Sequence, residues 1–445
     1  MFDSGVNSAY IFNTMITAYD FRKAKTLPRI RERQKNRRND VEPAVREILR
    51  DVEQNGDRAL QRLTKKFDHV ALKSIQVSQK EIDATLRKAD PHFVKILRRA
   101  AANIRRFHKH QLRTDWKIHP SAGVELRQKY LPVDRAGVYV PGGTAAYPST
   151  VLMNVIPAQV AGVKEIHLVS PPGHDGSVHP DVLTAAAILG IHHVYRVGGA
   201  QAIGALASGT KTIPAVDVIV GPGNIFVATA KRLVYGKVGI DSFAGPSEVV
   251  ILADGSADPR FIASDMLAQA EHDERASSIL VTTDETLAID VLEKIVSVVP
   301  LCPRAEIIER SLMRASAIYL VKNIAQGIDV VNQLAPEHLE VVVKNPEAAL
   351  KKIRHAGSIF VGNFSPVALG DYWAGPNHVL PTGGTARFSS PLSVDDFMKK
   401  SSVILYSQSA MQKSAADIAV FAEHEGLTVH ALSLLLRGKG VLSFH

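Results

Sequence analysis

Residues 137–143 read GVYVPGG, and residues 194–199 read VYRVGG. In each stretch a short run of β-branched and aromatic residues ends at two glycines, which is typical of a strand followed by a sharp turn. Stretches with a helical spacing of apolar residues separate such runs along the chain. Strands that alternate with helices predict a parallel sheet that is covered by helices on both faces.

The strand-like runs fall into two series. The first lies at residues 137–140, 166–169, 194–197 and 216–220, and the second at 248–252, 278–281, 317–321 and 358–361. Each series is long enough for one doubly wound unit, and a cleft between two such units is the default place for a ligand. The predicted fold class is α/β, with two doubly wound Rossmann-like units and small helical N- and C-terminal appendages.

The length of the chain, 445 residues, exceeds the usual size of one domain. Glycine and Ser-Ser-Pro punctuation at 383–391 marks a linker before a last helical stretch. The predicted division is an N-terminal basic helical segment at 1–38, a first α/β domain at 39–130 and 240–381, a second α/β domain at 131–239, and a C-terminal helical tail at 382–445.

The composition is that of an ordinary globular protein, with 46% apolar and 22% charged residues, which excludes a disordered or fibrous chain. No apolar run reaches the roughly 18 residues that a membrane helix needs, so no membrane partner is expected. The single cysteine, Cys302, excludes an intrachain disulfide and a cysteine-rich metal site. It also fits a cytoplasmic location.

The net charge of +9 is concentrated near the N-terminus, where residues 22–38 hold nine lysines and arginines against the single acid Glu32. Such a surface suits nucleic acid, and it equally suits a solvated helix face. Because only 6% of residues are aromatic and no nucleic-acid motif is present, the solvated face is favoured. A basic nucleic-acid-binding α/β protein stays an alternative.

Nucleotide binding cannot be derived from a motif. No segment satisfies G-x-G-x-x-G, and the nearest, GPGN at 221–224, has Pro222 and lacks the third glycine. Glycine pairs at 142–143 and 198–199 follow predicted strands, where backbone N–H groups can approach an anion. Ordinary strand-to-helix turns explain the same glycines equally well.

Three short segments carry candidate chemistry. Gln269 and His272 are three residues apart on a helix that the sequence predicts to start at Asp258, so one metal ion could bind both. Glu337 and His338 place an acid beside a base. Residues 370–378, GDYWAGPNH, hold a carboxylate, an amide and an imidazole after a predicted strand. Taken singly, each segment is also compatible with an ordinary surface or loop position.

Seven motifs in order give the chain a resemblance that extends from about residue 16 onward. They are VYVPGG at 138–143, GGAQA at 198–202, GPGN at 221–224, AGPSE at 244–248, QAEH at 269–272, APEH at 335–338, and GDY through NHVLP at 370–381. In this set the chain resembles the histidinol dehydrogenase family. The resemblance implies a cytoplasmic enzyme that uses two NAD+ to oxidise L-histidinol to L-histidine through bound L-histidinal, the last step of histidine biosynthesis.

The resemblance also implies roles for individual residues. One zinc ion per subunit would be held by Gln269, His272, Asp371 and His430. The chemistry would fall to Glu337 and His338. Substrate would contact Ser247, Gln269, His272, His338, Asp371, Glu425 and His430. NAD would contact Tyr139, Gln201 and Asn224.

The implied mechanism has two hydride transfers at one site. His338 would take the alcohol proton in the first, and Glu337 would activate water for attack on the aldehyde before the second. Many relatives have cysteine where this chain has Trp373, and Cys302 lies outside every motif, so water is the expected nucleophile of the second step. Glu425 and His430 lie on the tail, and the resemblance implies a homodimer in which each tail completes the partner subunit's site.

The nearest rival on the same scaffold is a zinc and NAD dehydrogenase of another alcohol, such as a sulfonated diol. The carboxylate of Glu425 suits the ammonium group of histidinol, whereas a sulfonate would require cations. The sequence therefore favours histidinol over that alternative.

Overall fold

The computed structural model describes residues 9–10, 15–22, 41–142, 146–242 and 245–438. Its strands are β1 Ala9–Tyr10, β2 Thr17–Asp20, β3 Trp116–Ser121, β4 Val124–Pro132, β5 Arg135–Tyr139, β6 Glu165–Ser170, β7 His193–Arg196, β8 Val218–Val220, β9 Gly239–Ile240, β10 Glu248–Ala253, β11 Ser277–Thr282, β12 Ala317–Leu320, β13 His338–Val342, β14 Ser358–Val361 and β15 Met398–Tyr406.

Helices connect most of these strands. They are α1 Glu42–Phe67, α2 Gln79–Lys88, α3 Pro91–Lys109, α4 Pro148–Ala161, α5 Pro180–Ile188, α6 Gly199–Ser208, α7 Ile225–Val234, α8 Pro259–Ala270, α9 Glu285–Val298, α10 Ala305–Ala315, α11 Ile324–Leu334, α12 Pro346–Leu350, α13 Val367–Leu369, α14 Gln408–His424 and α15 Thr428–Gly438. A single π-turn, Gly370–Ala374, follows α13. Within the described residues, no helix has the length and apolar character needed to cross a membrane.

The chain forms two compact units. The larger comprises residues 1–111 and 134–397, and the smaller comprises 112–133 and 398–445. The larger unit contains two sheets, of seven and five strands, in which all pairs are parallel except the β1–β2 pair. The smaller unit contains the antiparallel sheet β15-β4-β3, and its helices α14 and α15 pack on each other through Ala419, Ala422 and Ala431.

The predicted α/β class is confirmed. The five-stranded sheet has the order β7-β6-β5-β8-β9 and the seven-stranded sheet the order β1-β2-β12-β11-β10-β13-β14. In the five-stranded sheet the chain starts at β5 in the middle, adds β6 and β7 on one side and then returns to add β8 and β9 on the other, which is the doubly wound arrangement. The strands β10 to β14 follow the same pattern in the seven-stranded sheet, whereas β1 and β2 join its edge beside β12. All eight predicted strands are present. In seven of them the β-branched residues are buried, as in strands covered on both faces, whereas Ile359 of the edge strand β14 is 39% exposed.

The sequence missed several strands. β13 was not predicted, although the run LEVVV at 339–343 is rich in β-branched residues. The strands β3, β4 and β15 were also missed. β15 pairs with β4, which is far from it in sequence, and β3, the hairpin partner of β4, is exposed along its whole length and lacks a buried apolar pattern. Within the predicted helical segment 1–38, residues Thr17–Asp20 instead form β2, which pairs with β12. Most of the basic run at 22–38 lies outside the described residues.

Helix α1 packs against the five-stranded sheet. Its buried residues Val45, Val52 and Leu60 share one core with Ile203 and Leu206 of α6. This differs from the predicted division, which grouped residues 39–130 with 240–381. The reason is physical: the spacing of apolar residues defines which face of a helix is buried, and it does not define which sheet covers that face. The predicted domain boundaries otherwise stay a prediction.

Candidate active site

Glu337 and His338 stand at the amino end of β13. The neighbouring strand β10 begins at Glu248, and the pairing of Val249 with His338 puts the starts of both strands side by side. β10 and β13 are the two strands at which the seven-stranded sheet reverses its order. Ligands of doubly wound sheets usually bind at the carboxyl ends of the strands, so a site at the amino ends departs from that expectation.

His338 is buried and has a defined orientation. Its Nδ1 lies 3.1 Å from the backbone carbonyl oxygen of Glu248, and a carbonyl only accepts, so Nδ1 carries the hydrogen. Burial, with smaller contributions from the nearby His272 and His378, lowers the pKa of His338 to about 4. The buried Nε2 has no hydrogen-bond partner among the residues that the structure describes. His338 is therefore neutral at pH 7 and keeps a lone pair on Nε2.

Glu337 lies beside this histidine, with its Oε2 3.6 Å from His338 Nδ1. The same oxygen accepts a hydrogen bond of 2.8 Å from the backbone N–H of Glu248, and the Ser247 hydroxyl also bonds the carboxyl group. Burial raises the pKa of Glu337 well above its usual value, and the charges of Glu248 and Asp371 add to the effect. A carboxyl group with a raised pKa is a stronger base than an exposed one and is suited to proton transfer.

Asp371 lies near Glu337, on the π-turn that follows β14 and α13. Burial raises its pKa to about 7. His378 lies next to it, with Nδ1 3.2 Å from the Asp371 backbone oxygen, and burial lowers the pKa of His378 to about 4. His378 lies in the motif at 370–381, but the sequence analysis assigned it no role. The Asn377-His378 pair in that motif is the sequence feature that could have indicated such a role.

A cavity of about 180 Å³ opens at this point. It is lined by His338, Ser358, Ile359, Phe360, Val361, Ser365, Leu369, Gly370, Asp371, Ala374, Pro376, Asn377, His378 and Leu380. Apolar residues such as Ile359 and Leu380 form part of the wall, and His338, Asp371 and His378 supply polar groups. This combination is the usual character of a small-molecule site.

Gln269 and His272 lie at the end of α8. Gln269 is buried, and its side-chain Nε2 has no hydrogen-bond partner within the described part of the chain. His272 follows the helix and influences the pKa values of His338 and His378. No group of three or more His, Cys, Asp or Glu side chains placed to hold a metal ion occurs among the described residues. The predicted ligand set has only two such residues in the larger unit, His272 and Asp371.

The remaining tail residues belong to the smaller unit. Glu425 follows α14 and His430 lies in α15, and both are exposed. The structure thus brings Ser247, His272, Glu337, His338 and Asp371 to one place, whereas Glu425 and His430 are on a different compact unit.

The three predicted NAD residues lie at the carboxyl ends of the five-stranded sheet. Tyr139 ends β5, its hydroxyl accepts a 3.1 Å hydrogen bond from the N–H of Gly199, and Gln201 is buried in the first turn of α6. Asn224 caps α7, accepting hydrogen bonds of 3.0 and 3.2 Å from the N–H groups of Phe226 and Val227. β5 and β8 are the strands at which this sheet reverses its order, where dinucleotides bind in doubly wound folds.

Comparison with known proteins identifies the family. The family model described as histidinol dehydrogenase matches residues 31–438. The chain belongs to the histidinol dehydrogenase family. The histidinol dehydrogenase of Bacillus subtilis (strain 168) is 53% identical over 397 residues, which is 89% of this chain and 93% of that protein. The enzyme of that name from Clostridium acetobutylicum is 50% identical over 410 residues, 92% of this chain and 95% of that protein.

A solved structure agrees with this assignment. The crystal structure of histidinol dehydrogenase from Elizabethkingia anophelis has a TM-score of 0.87 and 38% sequence identity, and the match covers 92% of this chain and 96% of that chain. The resemblance predicted from the seven motifs is therefore confirmed, and with it the prediction of a dehydrogenase. Membership in the histidinol dehydrogenase family favours this assignment over the sulfonated-diol and nucleic-acid alternatives.

Proposed function

We propose that this protein oxidises L-histidinol to L-histidine, through L-histidinal that stays bound, and reduces two NAD+ in the process. Membership in the histidinol dehydrogenase family supports the reaction. The observation that carries the mechanism is the pair of adjacent buried groups, a neutral imidazole with a free Nε2 and a carboxyl group with a raised pKa. Two such groups suit two successive proton transfers at one site.

In the first oxidation, His338 Nε2 accepts the proton of the substrate hydroxyl as a hydride leaves the adjacent carbon for NAD+. The products are the aldehyde and NADH. The hydrogen bond from Nδ1 to the Glu248 carbonyl favours this step, because it fixes the ring and stabilises the imidazolium that forms.

In the second oxidation, Glu337 takes a proton from water as the oxygen attacks the aldehyde. The deprotonated hydrate that results loses a hydride to a second NAD+ and becomes the carboxylic acid, and the proton held by Glu337 is then released to solvent. The N–H of Glu248 and the Ser247 hydroxyl hold the Glu337 carboxyl group in place. Cys302, whose thiol donates to the Val298 carbonyl at 3.5 Å on a surface turn, takes no part, so water is the nucleophile.

The residues of the larger unit fit a zinc ion. Asp371 is a buried carboxyl group whose raised pKa reflects burial without an offsetting cation, and Gln269 supplies a buried amide group at the end of α8. Together with the imidazole of His272, these side chains supply the oxygen and nitrogen donors that zinc accepts. We propose that Gln269, His272, Asp371 and His430 hold one zinc ion per subunit. A zinc ion held there would orient the substrate by binding the nitrogens of the substrate's imidazole and amino groups.

The fourth ligand leads to a proposal on assembly. His430 and Glu425 lie on the smaller unit, whose surface exposes large apolar side chains: Phe421 is 68% exposed, Val429 73% and Ile404 70%. Apolar patches of this kind mark association surfaces. We propose a homodimer in which the tail of one subunit brings Glu425 to the substrate ammonium group and His430 to the zinc of its partner. The predicted cytoplasmic location stays a prediction.

The decisive experiment supplies L-histidinol and NAD+ to purified zinc-loaded protein and follows absorbance at 340 nm. The expected yield is two NADH for each histidinol consumed, with L-histidine as product. L-histidinal should give one NADH. A sulfonated diol assayed in parallel should give none. A yield of one NADH per histidinol, with aldehyde accumulating in solution, would contradict the proposal.

A further inference from the structure

A buried ion pair lies behind the turn that ends β8. Lys231 of α7 contacts Asp241, and both side chains are only 3% exposed. Removing two ions from water is unfavourable unless their remaining hydrogen-bonding groups are satisfied. Here the main chain satisfies the remaining hydrogen-bonding groups of Lys231 and Asp241, and most of these bonds are made by Gly221.

Both backbone groups of Gly221, its carbonyl oxygen and its N–H, are hydrogen-bonded to the ion pair. Lys231 Nζ donates to its carbonyl oxygen at 2.9 Å, and its N–H donates to Asp241 Oδ2 at 2.8 Å. The backbone of Gly221 has a φ of +111°, and a Cβ there would lie 2.1 Å from the Tyr139 carbonyl oxygen. The ion pair therefore fixes a glycine whose backbone passes directly against the end of β5.

The other end of the same turn is fixed independently. Asn224 Oδ1 accepts hydrogen bonds from two N–H groups in the first turn of α7. Residues 222 and 223 thus lie between two anchored ends, at the crevice where the five-stranded sheet reverses its order. Asp241 also accepts a 2.6 Å hydrogen bond from the N–H of Ser242, the residue that begins the approach to Ser247.

We propose that the Lys231–Asp241 ion pair is a positioning element for the dinucleotide: it holds the turn 221–224 in its binding geometry before NAD arrives. This inference rests on the proposed function, because the turn has a cofactor to receive only if NAD binds there. A pre-arranged turn loses little conformational entropy on binding, so removal of the pair should weaken NAD and leave histidinol largely unaffected.

The test uses two variants and one control. Asp241→Asn keeps the shape and removes the charge, and the double variant Lys231→Met/Asp241→Leu removes both charges without leaving either one buried alone. The control is Glu81→Gln, which breaks the 2.7 Å ion pair between Glu81 and Arg196 of β7, in the same sheet and away from the turn. NAD+ binding is measured by calorimetry, and KM is measured for both substrates.

Both variants should raise the Kd for NAD+ by at least about tenfold while KM for histidinol changes by less than about twofold. Glu81→Gln should lower the melting temperature and leave NAD+ affinity unchanged. Equal NAD+ affinity in wild type and in a folded variant would overturn the inference and leave the proposed function intact. A wild type that binds no NAD+ would overturn both.

A second measurement needs no variant. Hydrogen exchange of wild type without NAD+ should show protection of the amides of Gly221, Phe226 and Val227, because their hydrogen bonds within the turn are already formed. Exchange at the rate of an unstructured loop would contradict a pre-arranged turn.

Discussion

Glu337 and His338 are neighbours in sequence, yet the same burial moves their pKa values in opposite directions. It raises the pKa of the carboxyl group and lowers that of the imidazole, because in both cases the charged form loses its hydration. The sequence indicates that an acid and a base are adjacent. The direction in which each pKa shifts follows from the folded protein alone.

The division of labour between these two residues gives a first prediction. If Glu337 activates water, Glu337→Gln should slow histidinal oxidation more than histidinol oxidation, by about a hundredfold against less than about tenfold, whereas His338→Asn should slow both. Single-turnover rates with each substrate measure the two steps. Equal losses for Glu337→Gln in both steps would remove the division of labour.

The proposed zinc ligands give a second prediction. Removal of metal by a chelator should abolish activity, and added zinc should restore it. His272→Ala should lose metal, and Gln269→Ala should retain part of it, because a neutral amide oxygen is the weaker ligand. Elemental analysis of each purified protein reports the metal content directly. Full activity in a metal-free preparation would contradict the proposed site.

A third prediction concerns a buried carboxyl pair that holds no catalytic role. Glu340 of β13 and Asp265 of α8 share a hydrogen bond, which requires one of them to keep a proton. Burial raises the pKa of Glu340 to about 8, from an ordinary value of 4.5. The folded state therefore binds this proton more tightly than the unfolded state, and the stability it contributes is complete below pH 4.5 and is lost as pH rises to about 8.

The amide Glu340→Gln stays neutral at every pH. The variant should gain at least about 1 kcal/mol over wild type between pH 5 and pH 8, measured by urea unfolding at both values. Glu293→Gln, the same change at an exposed position of α9, is the matched control and should leave the pH dependence unchanged. Parallel pH curves for wild type and Glu340→Gln would show that the pair does not store a proton.

At the scale of elements, the turn after β8 requires a glycine for two reasons, its positive φ and its close approach to β5. A pair of substitutions separates these two effects. Gly221 and Gly236 both have positive φ, +111° and +100°, but a Cβ at Gly236 meets nothing within 4 Å. Gly236→Ala should cost only the backbone strain, about 1–3 kcal/mol. Gly221→Ala should cost clearly more, because its Cβ would lie 2.1 Å from the Tyr139 carbonyl oxygen.

Urea unfolding measures both costs, and calorimetry with NAD+ shows whether Gly221→Ala also weakens the cofactor. Gly236→Ala should bind NAD+ as wild type does. If the two substitutions destabilise the protein equally, the close approach of β8 to β5 does not contribute.

At the scale of the whole molecule, the proposed exchange of tails predicts complementation. His338→Asn inactivates the site through the larger unit and His430→Ala through the tail. In a mixed dimer one site would receive both changes and the other neither. Random reassortment makes about half of the dimers mixed, so activity should return to roughly a quarter of wild type.

Exchange of subunits is confirmed first, by mass spectrometry of chains with different tags. With exchange established, an inactive mixture would mean that each site is built from one chain. His430 and Glu425 would then have to serve their own subunit.

The sequence alone determined the class of the fold, the eight strands it predicted, and the residue types of the candidate site. Strand runs and turn glycines are local signals, so they can be recognised without knowledge of the partner strands. The seven motifs indicated the family for the same reason, because each is a short local pattern. Glu337, His338 and Asp371 were identifiable because each lies in a short run that can be recognised without its neighbours in space.

Only the tertiary structure decided how these pieces meet. It placed Glu337 and His338 at the amino ends of β10 and β13, put α1 on the five-stranded sheet, and paired Lys231 with Asp241 behind the turn. Each of these depends on contacts between residues that the local pattern does not link. The pKa shifts are decided at the same level, because they arise from burial, and burial exists only once the chain has folded.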